Sequence, residues 1–128
     1  MPEINHDYSY DHIAVFYGQD HPILHWCVIS GLRIRALRLR EDYNPRIFDS
    51  RAQVWVGDDS PTNEWGTTLA NSTATYPLYV KKPGKADYTF LGNYAVLTDN
   101  ATEAELAEAR QKVTHDRGVS RIVFLKKT

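Results

Sequence analysis

The sequence predicts an α+β fold, mostly β: a curved antiparallel or mixed sheet, or a partly closed barrel, with one helix in the C-terminal half. Three observations carry this reading. Residues 32–40 alternate apolar and basic side chains with period two. Residues 76–97 read as strand, turn and strand. Thr102-x-x-Glu105 is a capping box that opens the one clear helical pattern.

Taken in order, residues 1–11 are polar and acidic and read as a flexible arm ahead of a single globular domain over 12–128. Residues 13–17 are a short apolar run, a strand or a helical turn, closed by Gly18. Residues 23–29 read as a buried strand ended by Ser30-Gly31. In 32–40, Leu32 and Ile34 alternate with Arg33 and Arg35. The register slips at Ala36, and Leu37 and Leu39 then alternate with Arg38 and Arg40. That is a strand with a β-bulge. Ile47-Phe48 reads as short and extended. Gln53–Val56 is a strand closed by Gly57-Asp58-Asp59-Ser60-Pro61, and 63–72 reads as a loop with one helical turn around 67–69. Tyr76–Lys82 and Ala86–Leu97 form a hairpin about Pro83-Gly84-Lys85, with Gly92 at a bulge or a close-packing point. The helix follows, with Leu106, Ala109 and Val113 on one face, and Val119–Leu125 is a closing strand.

The 128 residues are enough for one domain with a real core. A net charge of −1 excludes a globally basic protein, so any polyanion must be met by a local patch. The lone Cys27 forms no internal disulfide and no cysteine-based zinc site. Beside Trp26 and Val28 it reads as a small buried hydrophobe, and a nucleophile paired with His25 or His115 is the rival reading. There is no signal-peptide pattern and no apolar run long enough to span a bilayer, so the expected compartment is the cytosol, or the nucleus in a eukaryote. The Asn71 and Asn100 sequons then read as chance matches.

Arg33, Arg35, Arg38 and Arg40 are the first candidate site. A strand spaces alternate side chains at about the single-strand phosphate repeat, and a guanidinium grips phosphate through a planar fork. The alternative is a solvated face paired to carboxylates. Aromatics are the second: Trp55, Trp65, Tyr76, Tyr79, Tyr88, Phe90 and Tyr94 crowd one region beside Asp58-Asp59. A base pocket needs rings to stack on and carboxylates or amides to read an edge. Trp65, Tyr79, Tyr88 and Asp58 are the candidates, each set against a role in the core or, for Asp58, an ordinary charged turn. Trp65, expected in a loop, is the strongest. The five histidines lack metal-site spacing, and no P-loop, dinucleotide fingerprint or nucleophile elbow occurs, so no metal or cofactor is expected. Asp58, Asp59 and Glu64, or a histidine, would be the groups of an enzyme.

The stretch from Tyr76 to Val96, with Leu78-Tyr79-Val80 and Tyr88-Thr-Phe-Leu-Gly92, resembles the strand–turn–strand of PUA-like domains attached to restriction-type helicases and endonucleases, and of the neighbouring SRA (YDG) group. The Trp65-Gly66 segment fits loosely, whereas the Gly-rich segment of the SRA group has no counterpart. The resemblance covers about 50 residues. It implies a PUA-like barrel whose pocket reads a modified or flipped base in DNA or RNA, with catalysis left to a partner. The alternative function is a regulatory factor that binds a protein or small ligand, in a phage or in host defence.

Overall fold

The computed structural model describes residues 2–20, 26–113 and 118–128. Its strands are β1 (Asp7–Tyr8), β2 (Cys27–Ser30), β3 (Arg33–Arg40), β4 (Ala52–Gly57), β5 (Thr75–Lys81), β6 (Tyr88–Thr98) and β7 (Val119–Lys127). Its helices are α1 (Tyr10–Phe16), α2 (Thr62–Ala70) and α3 (Glu103–Lys112). The class is the expected one, α+β and mostly β, with parallel and antiparallel pairs. Among the described residues three helices stand where the sequence predicts one.

Two compact units divide the chain. The first takes Met1–Glu41, Thr75–Tyr94 and Lys127–Thr128; the second takes Asp42–Ala74 and Ala95–Lys126. The strand β6 begins in the first and ends in the second.

In the first unit β2 and β3 form a tight hairpin. Gly31 and Leu32 both have positive φ, 59° and 60°, the pair that a two-residue type I′ turn requires. Pairing runs Val28↔Ala36 and then Ile29↔Ile34, so Arg35 is the extra residue of a bulge, where the alternation slips. On its other side β3 pairs in parallel with β5, Leu37↔Leu78 through Arg40↔Lys81. The first paired residue of β5 follows Pro77, which has no N–H for a ladder. The strands β5 and β6 are neighbours. Six residues join them, too few for a parallel crossover, so they form the expected hairpin. Its turn closes with Lys85 N–H donating to the Lys82 carbonyl, 3.1 Å, with Gly84 at φ 78° after Pro83.

The N-terminal residues are not a loose arm. Asp7 and Tyr8 pair with Thr89 and Tyr88, and Asn5 and His6 bond to Phe90. Ser9 then caps α1, its hydroxyl accepting from the His12 N–H at 3.1 Å. Ile13 is the buried residue of α1 and packs with Val28, Ala36, Tyr79, Tyr88 and Phe90 in the core of this unit.

In the second unit β4 pairs antiparallel with β7, and β7 neighbours β6. The helix α2 lies on β4 where Gly66 meets Val56: a Cβ on Gly66 would overlap Val56 Cγ1. The helix α3 carries the predicted capping box, Glu105 N–H to Thr102 Oγ1 at 3.1 Å and Thr102 N–H to Glu105 Oε1 at 2.8 Å. Its Leu106 and Ala109, with Val113, pack on Trp55, Val119, Ile122 and Phe124. Ile47-Phe48, expected as short and extended, lies in turns instead, with Ile47 N–H on the Asn44 carbonyl at 3.0 Å. Buried Asn44 also accepts the Trp55 N–H at 2.8 Å.

Candidate nucleic-acid interface

The four arginines of β3 do not form one strip. Arg33, Arg35 and Arg40 are exposed, whereas Arg38 is 1% exposed. The bulge at Arg35 keeps Arg38 and Arg40 on the face of Arg33, because Ser30 and Val28, two residues apart, pair with Arg33 and Ala36, so it is cover and not face that sets Arg38 apart. Strand β2 on one side and the segment Tyr10–Gln19 above then cover Arg38. Its backbone N–H donates to Trp26 O at 2.8 Å. Its guanidinium lies 3.6 Å from the Tyr10 ring centroid and donates to Gln19 Oε1 at 2.9 Å and Tyr10 O at 3.3 Å. Burial holds its pKa below the ordinary arginine value, with Tyr10 and other neighbours pulling the other way. A guanidinium packed this way cannot reach a phosphate, so Arg38 leaves the set.

Tyr79 and Tyr88 are also corrected. Tyr79 is 2% exposed, its ring against Phe90 at 5.0 Å and its hydroxyl bonded to that of Tyr17 at 2.8 Å. Burial above all raises the Tyr79 pKa. Tyr88 is buried in the same core, near Tyr10. Both rings are spent on packing, and neither offers a face to a base. Trp65 is not in a loop but in α2, half-buried, next to Gly66. Asp58 is exposed at the β4–α2 turn. Its N–H donates to Gly118 O at 3.0 Å, and its carboxylate sits where a Gly118 side chain would be. The aromatics that crowd the sequence therefore go to different cores: Tyr79, Tyr88 and Phe90 to the first unit, Trp55 to the second.

What β3 does bring together is a cationic end. Arg40 and Lys81 are register partners in the parallel β3–β5 pair, so their side chains leave the same face about one strand spacing apart. Lys82 and Lys85 follow in the exposed turn. At the other end of β3, Arg33 and Arg35 stand exposed, the Arg35 Nε–H donating to Ser30 O at 3.2 Å. The lysines were missed because each strand was read alone. The signal was the Lys81-Lys82-Pro-Gly-Lys85 run, which needed the β3–β5 pairing to meet Arg40.

Cys27 is fully buried, and burial pushes its thiol up to about 12. His21, His25 and His115 lie outside the described residues. Among the described residues no three His, Cys, Asp or Glu side chains gather as a metal site, and no helix is long and apolar enough to cross a membrane. Comparison with protein-family models, with curated proteins and with solved structures finds no match.

Proposed function

We propose that this chain is a nucleic-acid-binding module whose first unit grips the phosphate backbone and which leaves catalysis to a partner. The observation that carries the reading is the Arg40–Lys81 register pair running into Lys82 and Lys85. A guanidinium and an ammonium on adjacent strands can both donate to the oxygens of one phosphate. The exposed Arg33 and Arg35 extend the same strand's positive charge. In the second unit, taken by itself, Trp65 is the candidate to stack a base, the one sequence-selected aromatic of the three that is not fully packed away.

The test is fluorescence anisotropy with labelled single- and double-stranded oligonucleotides, with and without modified cytosine, at two salt concentrations. Binding that weakens with salt is expected. Replacing Lys81 and Lys85 by Ala should lower the slope of log affinity against log salt by roughly 0.7 per lost contact on single strands, or 0.9 on duplex. Trp65→Ala should cost about one to two powers of ten in affinity, the value of a base stacked on a ring. Failure of every oligonucleotide to bind would end the reading.

A further inference from the structure

The tip of the β2–β3 hairpin is occupied by a residue that suits neither its backbone nor its surroundings. Ser30 pairs with Arg33, so Gly31 and Leu32 are the two turn residues. Glycine, asparagine and aspartate accept the positive φ of such a turn; a leucine does so only with strain, because its Cβ crowds the following carbonyl. Leu32 nevertheless stands there at φ 60°. It is also 76% exposed, so burial of its side chain does not offset the strain. Backbone strain of this kind persists where a site makes use of it.

The tip is held in place. The Gly31 N–H donates to Asp20 Oδ2 at 3.0 Å, and the Arg35 Nε–H donates to the Ser30 carbonyl at 3.2 Å. The second bond folds Arg35 back along the hairpin, so that its Nη2 lies 3.6 Å from where a Cβ on Gly31 would stand. Among the described residues, the Arg33 side chain and the terminal nitrogens of Arg35 meet no acceptor. Residues 1–32 contain four side-chain carboxylates and no Lys or Arg, so with His neutral they carry −4, and against a total of −1 residues 33–128 carry +3. Arg33 is thus the first cation of the chain, and it follows Leu32 directly.

An exposed aliphatic side chain held rigidly beside two guanidinium groups has the chemistry of a wedge. Proteins that kink a duplex insert such a side chain between neighbouring base pairs while arginine and lysine hold the phosphates. Leucine favours the duplex over a single strand. A splayed base is held by stacking on a flat ring, which leucine lacks, whereas a branched aliphatic chain fills the gap opened at one base step. A bilayer surface would be met by a broad apolar face, and here Leu32 stands between exposed Gly31 and exposed Arg33.

We propose that Leu32 is a wedge that enters one base step of a nucleic-acid duplex, with Arg33 and Arg35 on the phosphates beside it. This rests on the chain's binding nucleic acid and adds what the tip selects: a duplex that deforms readily. Pyrimidine–purine steps unstack with least resistance and A-tracts are stiff, so a duplex with a central TA step is the preferred ligand.

The experiment titrates the whole chain into a duplex whose central thymine–purine step carries 2-aminopurine, a base analogue that brightens when unstacked, with anisotropy read from an end label. The expected result is a rise in 2-aminopurine fluorescence on binding, with affinity about three- to tenfold above that for an A-tract duplex of equal length. Leu32→Asn puts a turn-compatible residue at the tip. It should raise the thermal midpoint, lose the fluorescence rise and weaken binding about tenfold, with an unchanged salt slope because no phosphate contact is removed. Leu32→Met keeps an apolar wedge and should keep the rise. Binding without a rise, an undiminished rise with Leu32→Asn, or a lower thermal midpoint for that variant would overturn the wedge and leave the nucleic-acid reading standing. Failure of every oligonucleotide to bind would end both. Leu32-dependent sedimentation with anionic phospholipid vesicles, with no signal from the duplex, would assign the tip to a membrane and overturn the proposal.

Discussion

Arg38 shows what one side chain can conceal. By alternation it is equivalent to Arg33, Arg35 and Arg40, yet its guanidinium is inside, held by Tyr10 and Gln19. A hydrogen bond to a charged group contributes about 1.5–3 kcal/mol, and truncating the side chain also removes packing. Arg38→Ala should therefore lose about 2–4 kcal/mol of stability in thermal or urea unfolding. Arg35→Ala should stay within about 0.5 kcal/mol while lowering the affinity for oligonucleotides. Similar losses in both would mean that Arg38 is not covered as described. Cys27 offers a second test at this scale. With the thiol buried and its pKa pushed to about 12, a thiol reagent at pH 8 should leave the native protein unmodified and label it fully in denaturant.

The elements differ in how locally they are determined. The helix α3 carries its own start signal, and Thr102→Ala should cost about 1 kcal/mol by removing the cap of a donor. It is also tied to residues 44–49 by Arg46, whose fork donates to both Glu108 oxygens at 2.9 and 2.8 Å. The hydrogen bonds from Arg46 hold the Glu108 carboxyl below the usual range, so the stability this contributes is present above the ordinary carboxyl pKa. It is lost as pH falls through the lowered, folded value. A Glu108→Gln variant should thus be less stable than the parent near neutral pH and converge with it in acid. Chemical denaturation across pH checks the sign.

The helix α2, by contrast, holds Gly66 and four threonines or asparagines, and local propensity argues against it. It exists because the missing Cβ lets its backbone close on Val56. Gly66→Ala would gain up to about 1 kcal/mol of propensity and meet an overpacked contact worth roughly 1–3 kcal/mol. A net lowering of the melting midpoint is expected. The helix α1 escaped the sequence for a related reason. Only Ile13 of its seven residues is buried, so it has no apolar stripe to read. Its one legible mark was Ser9 ahead of Asp11 in the first turn.

At the scale of the molecule, the acidic first 32 residues and the basic remainder give opposite predictions for salt dependence. Glu3→Gln with Asp11→Asn removes no phosphate contact and should leave the salt slope of oligonucleotide binding unchanged. Lys81→Ala with Lys85→Ala should lower it. A slope that responds to the carboxylates instead would move the nucleic-acid interface to the N-terminal segment.

The sequence by itself determined the α+β class, the bulged β3, the β5–β6 hairpin, the capped α3 and the division of charge. Each rests on hydrogen bonds, turn geometry or charge within a few neighbouring residues. Only the tertiary structure decided that Arg38, Tyr79 and Tyr88 are buried, that Trp65 rides on a helix, and that Arg40 meets Lys81. Those outcomes depend on which distant segment covers a face or pairs with an edge: residues 10–19 over Arg38, β5 beside β3, Val56 under Gly66. Periodicity fixes which side chains share a face; what lies against that face is set by residues tens of positions away, and it is there that a charged side chain becomes a ligand contact or part of the core.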